Sequence, residues 1–171
     1  MQATSVISNS ITQDIRLKGH QSIRFAPDGF SVLISDAGYT PVFLKHYTSE
    51  STVPDKDLVS ECSRILDEEG LLSFEGETVL ITDSMAATLL PSQFVDVDKN
   101  REILEKICSL DKTDRVFDRS IKTRDFHLIF AVPEKIIGLG NRFASDVKIL
   151  HTAECLLSLS DQVKSSDHQR G

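Results

Sequence analysis

Few residues in this 171-residue chain stand at spacings that could do chemistry. Asp28-Gly29 and Asp36-Ala37-Gly38 each set a carboxylate beside a glycine, and glycines let backbone N–H groups converge on an anion. Asp-Gly is also a preferred pair in two-residue hairpin turns, so both stretches read as turns before they read as sites. Gly138-Leu139-Gly140 carries part of a dinucleotide fingerprint. That fingerprint needs its glycines at a strand-to-helix turn. Here Pro133-Glu134-Lys135-Ile136-Ile137 intervenes and no third glycine follows, so the pair is expected to end a helix or to permit close packing. His151 and Cys155 are spaced to share a helix face, yet two ligands do not make a zinc site. A capping histidine beside a buried cysteine is expected instead. Ser84 has no nucleophile-elbow context, and His127, set in an apolar run, reads as a core or edge histidine. No catalytic residue and no metal site are expected.

Composition narrows the partners. Asp and Glu number 26 against 19 Lys and Arg, a net charge of −7, which argues against nucleic acid because phosphate backbones need a basic surface. Hydrophobic residues at 40% and charged ones at 26% suit a globular chain with a real core: one domain, or one with a small inserted subdomain. No apolar run approaches the length of a membrane span, and the opening MQATSVISNSITQD lacks the basic and apolar regions of a signal peptide. Cys62, Cys108 and Cys155 are odd in number and widely spaced, as in a reduced compartment. A cytoplasmic location is the expectation.

The elements that must position these residues start with Ser22–Tyr47, whose apolar positions alternate in three runs: Ile23/Phe25, Phe30/Val32/Ile34 and Val42/Leu44. Pro27-Asp28-Gly29 and Asp36-Ala37-Gly38 separate them, the pattern of a three-stranded meander. Residues 1–14, rich in Ser, Thr, Gln and Asn, predict a flexible start. A helix is predicted over 55–69, with Thr52 as N-cap, Pro54 in its first turn and Gly70 at C′. Strands follow at 77–82 and 87–91, and a helix at 98–110 with Ile103, Leu104, Ile107 and Cys108 inward. Two further strands, 115–121 and 126–132, precede a helix over 133–143 and a strand at 147–151. The last helix, to about 163, has Ala153, Leu156 and Leu157 on its core face; 164–171 is a polar tail open to having been cut. With residues 84–132 removed as an inserted strand-helix-strand-strand subdomain, the order is β-β-β-α-β-α-β-α, a mixed α/β sheet with later strands beside the first.

That order resembles the ribonuclease H-like fold as used in the first domain of actin-like ATPases, and the insert resembles the small subdomain of the division and pilus-assembly members. SIRFAPDGFSVLISD, TLLPSQF, DFHLIFAVPEKIIGLGNRF and VKILHTAECLLSL are similar to a bacterial family of unknown function with an actin-like ATPase fold, over residues 15–163. The resemblance implies that this chain is the first half of a longer two-half molecule. One departure from the pattern is that Gln21 and Arg24 stand in the strand that should be central and doubly covered. The resemblance also implies that the first hairpin could serve phosphates and metal, through Asp28, Gly29 and Ser31. Against this, Pro27 lacks an amide donor and Phe30 occupies the place of a small donor. Nuclease chemistry on the same fold would need clustered carboxylates for two metal ions; only Glu61 and Asp83 are available.

The functional expectation is therefore a non-catalytic protein-interaction or scaffold domain, without cofactor. Its partner is a protein, with self-association or the missing second half as candidates. Leu89, Leu90 and Phe94 on the inserted subdomain are the expected partner-binding residues, because a small α/β excursion leaves strand edges free. The alternative is an ATP- and Mg-binding domain using Asp28, Gly29 and Ser31.

Overall fold

The computed structural model describes residues 1–48, 56–84, 86–121 and 124–167 and divides into two compact units. The first comprises Met1–Thr82 and Lys135–Ile149, the second Asp83–Glu134 and Leu150–Gly171. In chain order the elements are β1 (Gln2–Ser8), α1 (Gln13–Lys18), β2 (His20–Ala26), β3 (Gly29–Ser35), β4 (Pro41–Thr48), α2 (Lys56–Glu68), β5 (Glu77–Thr82), β6 (Ala87–Pro91), α3 (Asn100–Glu105), β7 (Arg115–Ile121), β8 (Phe126–Val132), α4 (Glu134–Gly140), β9 (Val147–His151) and α5 (Thr152–Asp167). Among the described residues these strands form a six-stranded sheet, β1-β4-β3-β2-β5-β9, and a three-stranded sheet, β6-β8-β7. No helix among them is long and apolar enough to cross a membrane.

The meander of the first unit follows from its alternation. β2, β3 and β4 pair antiparallel, with Ile23 opposite Val32 and Phe30 opposite Tyr47. Cross-strand partners share a face, so Ile23, Phe25, Phe30, Val32, Ile34, Phe43 and Tyr47 gather on one side, all buried. β5 joins parallel to β2, placing Leu80 beside Ile23. The opposite face is less covered: Ser22, Ser31 and Leu33 are half-buried and Arg24 is exposed. That explains a charged residue in a central strand. Gln21, by contrast, is wholly buried, and neither end of its amide has a hydrogen-bond partner among the described residues.

α2 packs against β3 and buries Cys62, Ile65 and Leu66 on one stripe. It stops in a Schellman motif. Gly70 takes φ +65°, its N–H donates to Asp67 O at 3.0 Å, and Leu71 N–H donates to Leu66 O at 2.7 Å. The buried Leu66 and Leu71 supply the hydrophobic contact such a stop carries. The expected Thr52 cap and Pro54 lie outside the described residues.

The flexible start expected for residues 1–14 is instead structured. Gln2–Ser8 forms β1 and pairs antiparallel with β4, with a bulge between Ser5 and Ile7. Its side chains are nearly all exposed, so the ladder of backbone hydrogen bonds rather than an apolar face holds it. α1 is capped by Thr12, whose Oγ1 accepts from Ile15 N at 3.4 Å. Arg16 ties α1 to the turn after α2, its guanidinium donating to Gly70 O at 2.6 Å.

In the second unit, β8 lies between β6 and β7. Leu104 of α3, Ile129 and Ala131 form a buried cluster on one face, with Ala86, Leu90, Cys108, Leu110 and Val116 against it. On the other face the Phe117 and Phe130 rings stack at 5.4 Å, and His151, just before α5, sits 5.3 Å from Phe130. Arg124 donates to Ser160 Oγ of α5 at 2.5 Å, so α5 belongs with this sheet. Two expected core residues are exposed, Ile107 (59%) and Leu156 (61%). α3 ends at Glu105, well short of residue 110, so Ile107 falls out of the helical phase that would turn it inward. On α5 the neighbours Ala153 and Leu157 are half-buried while Leu156 and Leu159 point out.

Candidate functional site: the β2–β3 hairpin

The residues expected to serve phosphates sit at a two-residue turn. Ala26 and Gly29 are paired, Pro27 and Asp28 form the bend and both are exposed. Pro27 contributes no N–H. Gly29 is buried, with φ +156°, and a β-carbon built on it would fall on the Tyr47 carbonyl oxygen of β4. In a phosphate loop, the space a glycine leaves open is where an anion approaches the backbone. At Gly29 that space holds the backbone of β4. Phe30 is fully buried, stacked on Tyr47 at 4.6 Å, while Ser31, half-buried on the other face, lies between Arg24 and His46 in register. The three candidates Asp28, Gly29 and Ser31 are contiguous but do not converge: one is in solvent, one under β4, one on the second face.

The second Asp-Gly stretch is occupied by its own turn. Asp36 Oδ1 accepts from Gly38 N and Thr40 N, each at 2.9 Å. Tyr39, not Gly38, takes the left-handed conformation, at φ 63°. Its exposed ring stacks on His20 at 4.1 Å, which fixes that residue where glycine would be the default.

The remaining candidates have structural employment. Glu61 is bonded to Arg64, at 2.6 Å and 3.0 Å, and that guanidinium holds its carboxyl below the usual carboxylate range. Asp83 directly follows β5. Gly138 and Gly140 lie in the last turn of α4. His151 is buried; its Nδ1 accepts from Ala153 N at 3.0 Å and its Nε2 faces Ser84 O at 2.9 Å, so Nε2 carries the proton. It acts as a cap, and Cys155 nearby is half-buried with its thiol pushed up by burial. Ser84 Oγ accepts from Ala86 N at 3.1 Å. Among the described residues no group of three His, Cys, Asp or Glu side chains is placed to hold a metal ion.

The inserted region places the three expected partner residues differently. Leu89 (48% exposed) and Phe94 (62% exposed) face solvent, together with Val97 at 70%. Leu90 turns the other way, onto the cluster of Leu104, Ile129 and Ala131. Alternation along β6 turns the neighbours Leu89 and Leu90 to opposite faces; Phe94 lies beyond the strand.

One cluster escaped the sequence reading. His127 Nδ1 lies 2.5 Å from Asp118 Oδ1, and Asn100 Nδ2 donates to Asp118 Oδ2 at 3.1 Å. Asp118 is half-buried on β7, in step with Val116, which packs on the Leu104 cluster, so a carboxylate two residues from an inward apolar position was the available signal. The pairing with His127 needed the register of β7 on β8, where Asp118 is diagonal to His127.

Residues 8–170 match the family described as "Protein of unknown function (DUF3822)". No curated protein matches the chain. Among solved structures, a Bacteroides thetaiotaomicron VPI-5482 protein with actin-like ATPase fold and unknown function is similar at a TM-score of 0.69 and 15% identity. The match covers 84% of this chain and 56% of that one, so the chain spans just over half of its neighbour's length. At this identity the likeness is one of fold, and it agrees with the actin-like, ribonuclease H-type order of elements.

Proposed function

This chain belongs to the DUF3822 family of proteins of unknown function, and from that premise we propose that it is a non-catalytic protein-interaction domain on an actin-like half-fold. The observation that carries the reading is the filled space above Gly29, where the Tyr47 carbonyl stands in place of an anion. The exposed apolar residues of the second unit, Leu89, Phe94 and Val97, supply a surface of the kind partners cover. The net charge of −7 favours protein over nucleic acid as that partner.

Cross-linking in cell extract tests this reading. Partners held by the native chain and lost by the Leu89→Ser/Phe94→Ser variant are the expected result; an unchanged set of cross-linked proteins overturns it. The second reading, ATP with Mg bound at Asp28, Gly29 and Ser31 and completed by a segment outside this chain, draws on the likeness to a structure of actin-like ATPase fold. Calorimetric titration of Mg-ATP separates the two: micromolar binding abolished by Asp28→Ala establishes the second and removes the first.

A further inference from the structure

Within the first unit, α2 and α4 border a cleft of about 500 Å³, inside the size range of small-molecule sites. Neither Leu89, Phe94 and Val97 nor any residue of the β2–β3 hairpin lines it, so it stands apart from the function proposed above. Its chemistry is unusual for so acidic a chain. Lys135 from α4, Arg142 just beyond α4 and Arg64 from α2 all face it, against the one carboxylate of Asp67. Arg64 is already balanced, held by Glu61 and Glu68. Lys135 and Arg142 are not: among the described residues neither has an acidic partner. The Arg142 guanidinium instead donates to the hydroxyl of Ser63, a neutral group that is 91% buried, being 9% exposed. A guanidinium oriented by a buried hydroxyl is pre-set for an incoming anion and loses little freedom on binding it. Val59 and Leu139 provide apolar wall.

We propose that this cleft binds a small organic anion, a carboxylate or phosphomonoester, clasped between Lys135 and Arg142. The lone Asp67 disfavours a bare polyanion and favours a ligand whose hydroxyl or amino group reaches it. Both sources share that chemistry, and the test separates them. The native chain, labelled with nitrogen-15, is titrated with ribose 5-phosphate, with L-glutamate, and with inorganic phosphate, while backbone amide shifts are followed.

Saturable shifts centred on Ser63, Lys135 and Arg142 with either organic probe are expected, and the stronger binder names the source. Arg142→Gln and Lys135→Gln, both at exposed positions, should each weaken that binding about tenfold, the worth of one charge-assisted hydrogen bond. Lys148→Gln, whose lysine pairs with Glu77 outside the cleft, should leave it unchanged. The proposal is overturned if neither organic probe saturates at these amides, or if binding survives both cleft substitutions. It is equally overturned if inorganic phosphate binds as well as the better organic probe, since Asp67 and the apolar wall would then contribute nothing.

Discussion

The rings of Phe30 and Tyr47 stack across β3 and β4 with centroids 4.6 Å apart and planes 16° from parallel. The same Tyr47 lays its carbonyl over Gly29, so one residue of β4 closes the hairpin with both ring and backbone. A side chain at residue 29 must therefore displace β4 and adopt a backbone angle that L-residues avoid. Gly29→Ala should destabilise the chain by about 3 kcal/mol, whereas Asp28→Ala at the exposed bend should change it by less than about 0.5 kcal/mol. Midpoints of urea denaturation measure both, and a tolerated Gly29→Ala would show that β4 yields easily at this point.

Tyr47 also gives the fold an alkaline limit. Its hydroxyl is buried without a hydrogen-bond partner among the described residues. Burial first, then the charges of Glu69 and Cys62, push the phenol up from 10.0 to about 12. A raised folded value means the folded state holds the proton more tightly. The contribution is therefore complete below pH 10 and is lost as pH rises toward 12. Tyr47→Phe should remove part of that loss, so its urea midpoint should fall less between about pH 9.5 and about pH 11.5, each about half a unit below the corresponding limit. The slope will not vanish, because the buried thiol of Cys62 is pushed up as well and acts in the same direction. Equal slopes in variant and native chain would show that Tyr47 ionises no harder folded than unfolded.

Legibility in the sequence tracked the strength of local physics. The meander was readable because Ile23, Phe25, Phe30, Val32 and Ile34 alternate around turn-forming residues, and Gly70 because a C′ glycine follows an apolar helical stripe. β1 was not, since QATSVIS buries almost nothing and becomes a strand only by meeting the outer edge of β4. Tyr39 hid its left-handed backbone because the cause lies in the Asp36 carboxylate and the His20 ring. At the candidate site, Pro27 and Phe30 already spoke against a phosphate loop. The Tyr47 carbonyl over Gly29 was out of reach, because it depends on register between β3 and β4. The α2–α4 cleft likewise joins residues far apart in the chain.

Leu89 and Leu90 are adjacent on β6 and should behave oppositely. Leu90 packs on the Leu104, Ile129 and Ala131 cluster, so Leu90→Ala should cost about 2–3 kcal/mol through lost burial and a residual cavity. Leu89→Ser and Phe94→Ser remove exposed side chains and should stay within about 0.5 kcal/mol. This asymmetry makes the latter pair usable in binding experiments without unfolding the subdomain. Hydrogen exchange at β6 and β8 amides is the check, and comparable loss of protection from Leu89→Ser and Leu90→Ala would contradict the register.

Asn100, Asp118 and His127 should act as one unit in the second sheet. The Asp118 and His127 side chains keep only 20% and 24% of their exposure, and Asn100 is buried at 3% with its Oδ1 unpartnered among the described residues. Asp118 is therefore the acceptor on which two donors depend, the buried Asn100 amide and the half-sheltered His127 ring. Asp118→Ala leaves both unpaired and should cost about 2 kcal/mol, more than His127→Gln, which strands only one partner. Because the groups share a network, the Asp118→Ala/His127→Gln pair should show a coupling of about 1 kcal/mol in a double-mutant cycle. The chain has two compact units, so the cycle is best read from hydrogen exchange of β7 and β8 amides, which report local opening of that unit. Strictly additive losses would mean that the 2.5 Å contact contributes no more than two independent solvent-facing groups.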